Sequence, residues 1–150
     1  MVSASALSEE AERSLLGAIL LTSDVLVDVE HVEHVEPEDF GSFAHRTVYE
    51  AIRELSSTGV AIDSVTVARQ LLDDSKSRDN GDADDVVRLV EACMESVPHA
   101  RHAEHYAKHV VEASRRRQIT RIGTELANGE RDGLNVEDLL KDRLATLTEL

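Results

Sequence analysis

The segment ARHAEHYAKHVVEASRRRQITRIGTELAN, residues 100–128, contains no proline and a single glycine, Gly123. Its apolar residues recur at close to the 3.6-residue period of an α-helix. At 1.5 Å per residue the predicted helix is about 40 Å long, which exceeds the width of a small domain. The segment therefore predicts a helix that extends beyond the body of the protein.

A second helix is predicted to follow the long one. The sequence NGERDG, residues 128–133, is expected to end the long helix, and Asn135 with Asp138 three positions later matches a capping box. Two long helices joined by a short turn form an antiparallel hairpin, and the apolar side chains of this one exceed what the two helices can cover. We therefore expect a second copy of the chain or another protein to cover the hairpin.

The chain before the hairpin is predicted to form several shorter helices. Ser8 is expected to cap the first, and Gly17 inside it predicts a close approach of another backbone, because glycine there costs about 1 kcal/mol relative to alanine. A short helix is expected over residues 23–34, and Asp63 is a good cap for a later one. The polar segment 73–85 is predicted to be a mobile loop.

The expected fold class is all-α, with a small orthogonal helical bundle, residues 1–98, followed by a long C-terminal antiparallel helical hairpin, residues 99–150. A chain of 150 residues is the size of one domain. Two phenylalanines, two tyrosines and no tryptophan mean that its core must be aliphatic. Such a core suits the packing of helix on helix.

The net charge of −14, from 30 acidic and 16 basic residues, repels polyanions, so little direct DNA binding is expected. Cys93 is the lone cysteine, which excludes an internal disulfide, and its apolar surroundings favour a buried side chain. The sequence shows neither a secretion signal nor a run of 18 apolar residues. We therefore expect a cytoplasmic protein with no membrane contact.

Ser42 and His45 are the candidates for nucleophilic catalysis, and the sequence favours a structural role for both. They fall at the start of a helix predicted from about residue 44 to residue 57, where serine is a common cap. Neither a GxSxG elbow nor the phosphate-binding pattern GxxxxGK[ST] accompanies them. We expect no catalytic residue and no nucleotide site in this chain.

Two histidine clusters are candidates for a metal site. His99, His102, His105 and His109 share one face of the predicted long helix, and residues 30–34 hold two histidines and two glutamates. Ligands stacked along one helix diverge, however, and HVEHVE lacks the HExxH order. A solvated histidine face is the favoured interpretation, and no metal residue is assigned.

Four motifs follow one another in a specific order. They are EAERSLLG at residues 10–17, the DF…HR…Y set of Asp39, Phe40, His45, Arg46 and Tyr49, the set Ile62, Asp63 and Thr66, and the set Val97, Pro98 and Tyr106. In this order and spacing, over residues 8–148, the chain resembles the N-terminal domain of the DnaB-family replicative DNA helicases. The segment 73–90 departs from the family pattern, which usually has two glycines there.

The resemblance implies a helical globule and a hairpin through which two copies pair, with three pairs forming a collar over the helicase ring. Such a collar docks the C-terminal domain of primase during DNA replication, so the implied partners are a second copy, as a dimer or a trimer of dimers, and primase. ATP and magnesium belong to the ATPase domain further along the family's chains, so no cofactor is expected in this segment.

The resemblance also implies where the copies meet. The hairpin positions that match the family are the candidates for the self-association surface, although some of them must close the hairpin itself: Tyr106, Val110, Ile119, Ile122, Leu126, Leu139, Leu140, Leu144 and Leu147.

Several alternatives stay open at this point. The family's linker to the ATPase domain is expected near Leu150, so the sequence fits either an excised domain of a helicase or a stand-alone collar protein. Outside the family, a stand-alone helical adaptor or a histidine-cluster metal-binding protein is the alternative function.

Overall fold

The computed structural model describes residues 3–78, 83–131, 133 and 135–149, with the backbone alone for residues 75–78, 130 and 131. All regular structure in these residues is helical. The all-α prediction is therefore confirmed. No helix in the described part of the chain is long and apolar enough to cross a membrane.

Seven α-helices and two 3-10 turns make up the described chain. The helices are α1 (Ala4–Leu21), α2 (Val25–His31), α3 (Phe43–Ser57), α4 (Ser64–Arg78), α5 (Ala83–Glu95), α6 (Ala103–Arg131) and α7 (Val136–Thr148), and the 3-10 turns are Pro37–Asp39 and Ala100–His102.

The chain divides into two compact units, Met1–Val111 and Glu112–Leu150. The division therefore falls inside α6. Our prediction placed the boundary of the helical bundle after residue 98, at the start of the long helix. The first turns of α6 belong to the first unit because Ala103, Ala107 and Val110 are part of its core.

Helix α1 is the central helix of the first unit and contacts α2, α3 and α5. Every residue of α1 from Ser14 to Leu20 is buried, as expected of a helix covered by neighbours on most sides. Outside α1, the largest fully buried side chains are aliphatic, with Phe40 and Tyr49 the aromatic exceptions. The aliphatic core predicted from the composition is present.

Helix α1 passes very close to α5 at Gly17. A Cβ atom at this position would overlap the main-chain carbonyl of Cys93 and the side chain of Val97. The prediction that another backbone approaches Gly17 is confirmed. Cys93 is fully buried at this crossing, and burial raises the pKa of its thiol to about 11.

Helix caps account for most of the helix starts. Ser42 Oγ accepts a hydrogen bond from the His45 amide, at 3.4 Å, and Asp63 Oδ1 accepts from the amides of Val65 and Thr66, at 2.9 and 2.8 Å. Both caps were predicted. Gly59, with φ of +72°, lies just after the end of α3 at Ser57, as expected for a residue that ends a helix.

The prediction that Ser8 caps the first helix is wrong. Helix α1 begins one turn earlier, at Ala4, because Ser3 Oγ accepts a hydrogen bond from the Ala6 amide at 3.1 Å. Ser8 lies inside the helix.

The predicted loop over residues 73–85 is wrong in the part that the structure describes. Helix α4 continues to Arg78, and α5 already begins at Ala83, while residues 79–82 lie outside the described residues. Polar residues weaken packing but do not prevent a helix, so α4 continues beyond its apolar positions. Two other helix ends differ from the prediction. Helix α2 ends at His31 rather than at residue 34, and α6 extends to Arg131 rather than ending at residue 128.

Candidate interaction surface

The second unit contains α6 from Glu112 onward and the whole of α7. Asn135 caps α7, because its side-chain oxygen accepts a hydrogen bond from the Glu137 amide at 3.1 Å. Arg143 Nε of α7 lies 3.0 Å from Glu125 Oε2 of α6, so the two helices lie side by side here.

Helix α7 presents a row of aliphatic side chains to solvent. Val136, Leu140 and Leu144 are four residues apart and therefore share one face, and their side chains are 45%, 45% and 52% exposed. We call these three residues the α7 stripe. On α6, Ile119 is 54% exposed. A row of exposed aliphatic side chains on one helix face is a common feature of protein interaction sites.

The nine residues predicted for self-association fall into three groups in the structure. Ile119, Leu140 and Leu144 are exposed, and Leu126, Leu139, Leu147 and Tyr106 are half-buried. Val110 and Ile122 are buried by this chain itself, Val110 within the core of the first unit. The prediction of a shared surface remains a prediction, and within it the exposed group is the part that another molecule can cover. Sequence spacing alone does not separate the three groups.

The first unit contains a buried carboxylate–imidazole contact that sequence reasoning missed. Glu12 on α1 is 1% exposed, and its Oε2 lies 2.7 Å from Nδ1 of His45 at the start of α3. Its carboxylate also accepts hydrogen bonds from the amides of Gly41 and Ser42, at 2.6 and 3.3 Å. One carboxylate therefore binds the free amides that precede α3 and the imidazole in its first turn.

The Glu12 carboxyl is ionised in this setting. Burial by itself would raise the pKa of Glu12, but hydrogen bonds from His45, Gly41 and Ser42 together lower it below its ordinary value of 4.5. A carboxylate can only accept, so Nδ1 of His45 must hold a hydrogen. The negative charge also lies at the N-terminus of a helix, where the dipole favours it.

The predicted structural roles of Ser42 and His45 are consistent with this geometry. Ser42 Oγ accepts from a main-chain amide, and the His45 imidazole bonds to Glu12. Both groups are used to start α3. The sequence did not predict that Glu12 would be the hydrogen-bond partner of the His45 imidazole.

Other residues of the same motif are also structural. The Phe40 and Tyr49 rings lie 4.9 Å apart, and the Tyr49 hydroxyl donates to the Val35 carbonyl at 2.9 Å. Arg46 donates to the Phe40 carbonyl at 3.3 Å. The motif thus binds the connection between α2 and α3 to the body of α3.

The histidine face of the long helix is solvent-exposed, as predicted. His99, His102, His105 and His109 are all exposed, and Nε2 of His105 lies 3.2 Å from Nε2 of His109. Within the described residues, no group of three or more histidine, cysteine, aspartate or glutamate side chains converges as a metal site requires.

Comparison with known families gives one match over most of the chain. The sequence profile described as "DnaB-like helicase N terminal domain" matches residues 5–112. The replicative DNA helicase DnaC of Bacillus subtilis (strain 168) is 33% identical over 142 residues, which are 94% of this chain and 30% of the relative. The replicative DNA helicase DnaB of Mycobacterium leprae is 36% identical over 116 residues, 77% of this chain and 18% of the relative.

A solved structure shares the same fold. The crystal structure of the N-terminal domain of DnaB helicase from Mycobacterium tuberculosis aligns with a TM-score of 0.78 and 31% sequence identity, covering 95% of this chain and 96% of that one. The chain therefore corresponds to nearly the whole of that domain, whereas it spans less than a third of the two helicases above.

Proposed function

The chain belongs to the family of DnaB-like helicase N-terminal domains, and we propose from this premise that it is the oligomerisation and partner-docking domain of a replicative DNA helicase. The α7 stripe is the observation that supports this proposal most directly. It is an aliphatic face on a small unit, which two copies can cover by packing the same surface against itself around a two-fold axis.

The strength of such a contact can be bounded. Covering the exposed half of a valine or leucine side chain contributes about 1 kcal/mol. Three side chains from each of two copies then contribute about 6 kcal/mol, which is similar to the free-energy cost of bringing two molecules together. The stripe alone therefore accounts for only part of a stable contact, and a closed ring of several copies would strengthen the association through avidity.

The remaining parts of the proposal follow from the family and from the charge. The partners are further copies of the chain, as a dimer or a trimer of dimers, and the C-terminal domain of primase. ATP and magnesium belong to the motor part of such a helicase, and this segment needs no cofactor. The net charge of −14 disfavours direct DNA binding, and the site of action is the cytoplasm, where the chromosome is copied.

Light scattering of the purified chain tests the self-association. We expect a mass above that of one chain at high concentration, and a shift to the monomer for the double variant Leu140→Asp and Leu144→Asp, because each aspartate would bury an unpaired charge. A matched control is the double variant Val27→Asp and Val65→Asp, two exposed valines of the first unit. An unchanged mass for the α7 variant, or an equal loss for the control, would remove the α7 stripe from the interface.

The docking part of the proposal has a separate test. Adding the C-terminal domain of the cognate primase to the purified chain should give a complex of higher mass in the same experiment. If the two proteins elute separately at concentrations of tens of micromolar, the primase part of the proposal fails, whatever the self-association result.

A further inference from the structure

A groove of about 500 Å³ lies between α3, α4 and α5 in the first unit. Aliphatic side chains from all three helices line it: Ala51 from α3, Leu71 from α4, and Val86 and Leu89 from α5. Ala51 and Leu71 belong to the buried core, whereas Val86 and Leu89 are half-buried. We call this site the α3–α5 groove, and its lining is an apolar surface that solvent can reach.

An exposed phenylalanine stands at one end of the α3–α5 groove. Phe43 is 71% exposed and is the first residue of α3. The chain on both sides of it is fixed, because the Ser42 amide and the His45 imidazole both bond to the buried Glu12 carboxylate. An aromatic ring on a rigid backbone loses little entropy when a partner covers it, as is common at binding hot spots.

The rim of the groove is acidic. Glu50 and Glu54 are exposed and lie one turn apart on α3, where like charges destabilise a helix by about 0.2–0.5 kcal/mol. Neither carboxylate forms an ion pair within the part of the chain that the structure describes. Asp74 on the α4 side accepts a hydrogen bond from Gln70 at 3.4 Å. The unfavourable Glu50–Glu54 pair would become favourable beside a basic partner.

We propose that the α3–α5 groove binds an amphipathic helix of a partner protein that has apolar residues at helical spacing flanked by lysine or arginine. The groove extends along α3 from Phe43 to Glu54, which is about 16 Å, or three turns of a bound helix. Its apolar lining matches the apolar face of such a helix, and its rim matches the basic flanks. The protein's net charge of −14 speeds the approach of a basic partner.

This inference rests on the proposed docking role and adds a site and a partner chemistry to it. The α3–α5 groove is lined by first-unit residues, whereas the α7 stripe belongs to the second unit. The two can therefore be tested independently.

The test uses three labelled 18-residue peptides and the full 150-residue chain. The first peptide is an amphipathic helix of leucine and lysine, the second has glutamate in place of lysine, and the third has the composition of the first in an order without an apolar face. Fluorescence anisotropy should show that the first peptide binds at least tenfold more tightly than either of the others. Equal binding of the first and third peptides would overturn the proposal.

Variants of the chain locate the binding site. We expect Phe43→Ala, and separately the double variant Glu50→Gln and Glu54→Gln, to weaken binding of the first peptide about tenfold. The matched control, Glu91→Gln with Glu95→Gln, removes two exposed charges with the same spacing on α5 outside this groove, and it should change binding less than twofold. If both double variants weaken binding equally, the peptide responds to net charge alone and the groove is not its site.

Two further readouts separate the possible occupants and the two proposals. The Leu140→Asp and Leu144→Asp variant should bind the first peptide as the unmodified chain does, so a failure of self-association leaves the groove result intact. Phe43→Ala should leave the mass of the chain unchanged in light scattering. A loss of mass in that variant would mean that a second copy covers the groove, and it would overturn the assignment to a different partner protein.

Discussion

The carboxylate of Glu12 brings together groups that are 29 to 33 positions away in sequence. Its charge is compensated by a histidine, by two main-chain amides and by the N-terminus of α3, and a buried charge is tolerated only with such compensation. No local pattern indicates this pair. Glu12 and His45 lie in two separate sequence motifs, and nothing in their spacing predicted a contact between them.

Replacing Glu12 with glutamine should destabilise the protein markedly. The amide has one acceptor oxygen where the carboxylate has two, so at least one buried donor loses its partner, and we expect a loss of about 3 kcal/mol in the free energy of unfolding. The control is Glu10→Gln on the same helix, which removes the exposed 2.8 Å pair with Arg13 and should cost less than about 1 kcal/mol. Urea unfolding followed by circular dichroism measures both, and equal losses would contradict the role assigned to Glu12.

The same carboxylate predicts a dependence of stability on pH. The pKa of Glu12 is lower in the folded protein than its ordinary value of 4.5, so the unfolded chain binds more protons at acidic pH. The contribution of Glu12 is complete above that value and is lost as the pH falls through the folded-state pKa. Urea titrations between about pH 3 and pH 7 should show the unfolding free energies of the unmodified protein and Glu12→Gln converging below about pH 4.5. Parallel curves down to pH 3 would contradict it.

At the scale of the elements, the crossing of α1 and α5 depends on the absence of one side chain. Glycine has a low helix propensity, so Gly17 by itself makes α1 less stable. The crossing explains its presence, because Cys93 and Val97 occupy the space that a Cβ atom would need. The gain in helix propensity from alanine is about 1 kcal/mol, and the strain of an overlap with main-chain atoms is about 1–3 kcal/mol or more. The strain exceeds the gain.

The overlap is with main-chain atoms, so the strain lies near the upper end of that range, and Gly17→Ala should lower the free energy of unfolding by about 2 kcal/mol. The chain offers a matched control in Gly123→Ala on α6, where a Cβ atom would meet nothing within 4 Å. That variant should raise the stability of its helix by up to about 1 kcal/mol. Thermal and urea unfolding of the two variants should give opposite signs, and a stabilised Gly17→Ala protein would contradict the close crossing.

The order of the helices was predictable because each depends on local signals. Apolar spacing, the caps at Ser42 and Asp63, and the unusual glycine in α1 all act within a few residues. The errors lie where two local signals compete. Ser3 and Ser8 are both suitable caps, and the structure uses the earlier one. Residues 73–78 are polar but helical, because helix formation needs no apolar face.

At the scale of the whole molecule, the chain contains two units that differ in how completely they bury their apolar side chains. The first encloses its own aliphatic core, whereas the second leaves the α7 stripe and Ile119 in contact with solvent. A sequence pattern shows that residues of the hairpin are apolar. It does not show which of them the chain itself buries, because that depends on the rotation of α6 and α7 about their axes. For this reason the sequence assigned Val110 and Leu140 to the same surface, whereas in the structure Val110 is buried and Leu140 is exposed.

Self-association through the second unit predicts that thermal stability depends on protein concentration. A copy that binds only the folded chain adds stability in proportion to the logarithm of its concentration. We expect the melting temperature to rise by a few degrees over a hundredfold increase in concentration. The Leu140→Asp and Leu144→Asp variant should lose this dependence, and the Val27→Asp and Val65→Asp control should keep it. A melting temperature independent of concentration in the unmodified chain would count against the interface.

The lone cysteine makes the α1–α5 crossing measurable without any label. Cys93 is fully buried, so a thiol reagent cannot reach it in the closed structure. Burial also raises the pKa of its thiol to about 11, so little reactive thiolate is present at neutral pH. A coloured disulfide reagent can therefore react only while the crossing is transiently open. The chain has no tryptophan whose fluorescence could report on the core. The rate of the colour change therefore gives an optical measurement of how often the core around Cys93 opens.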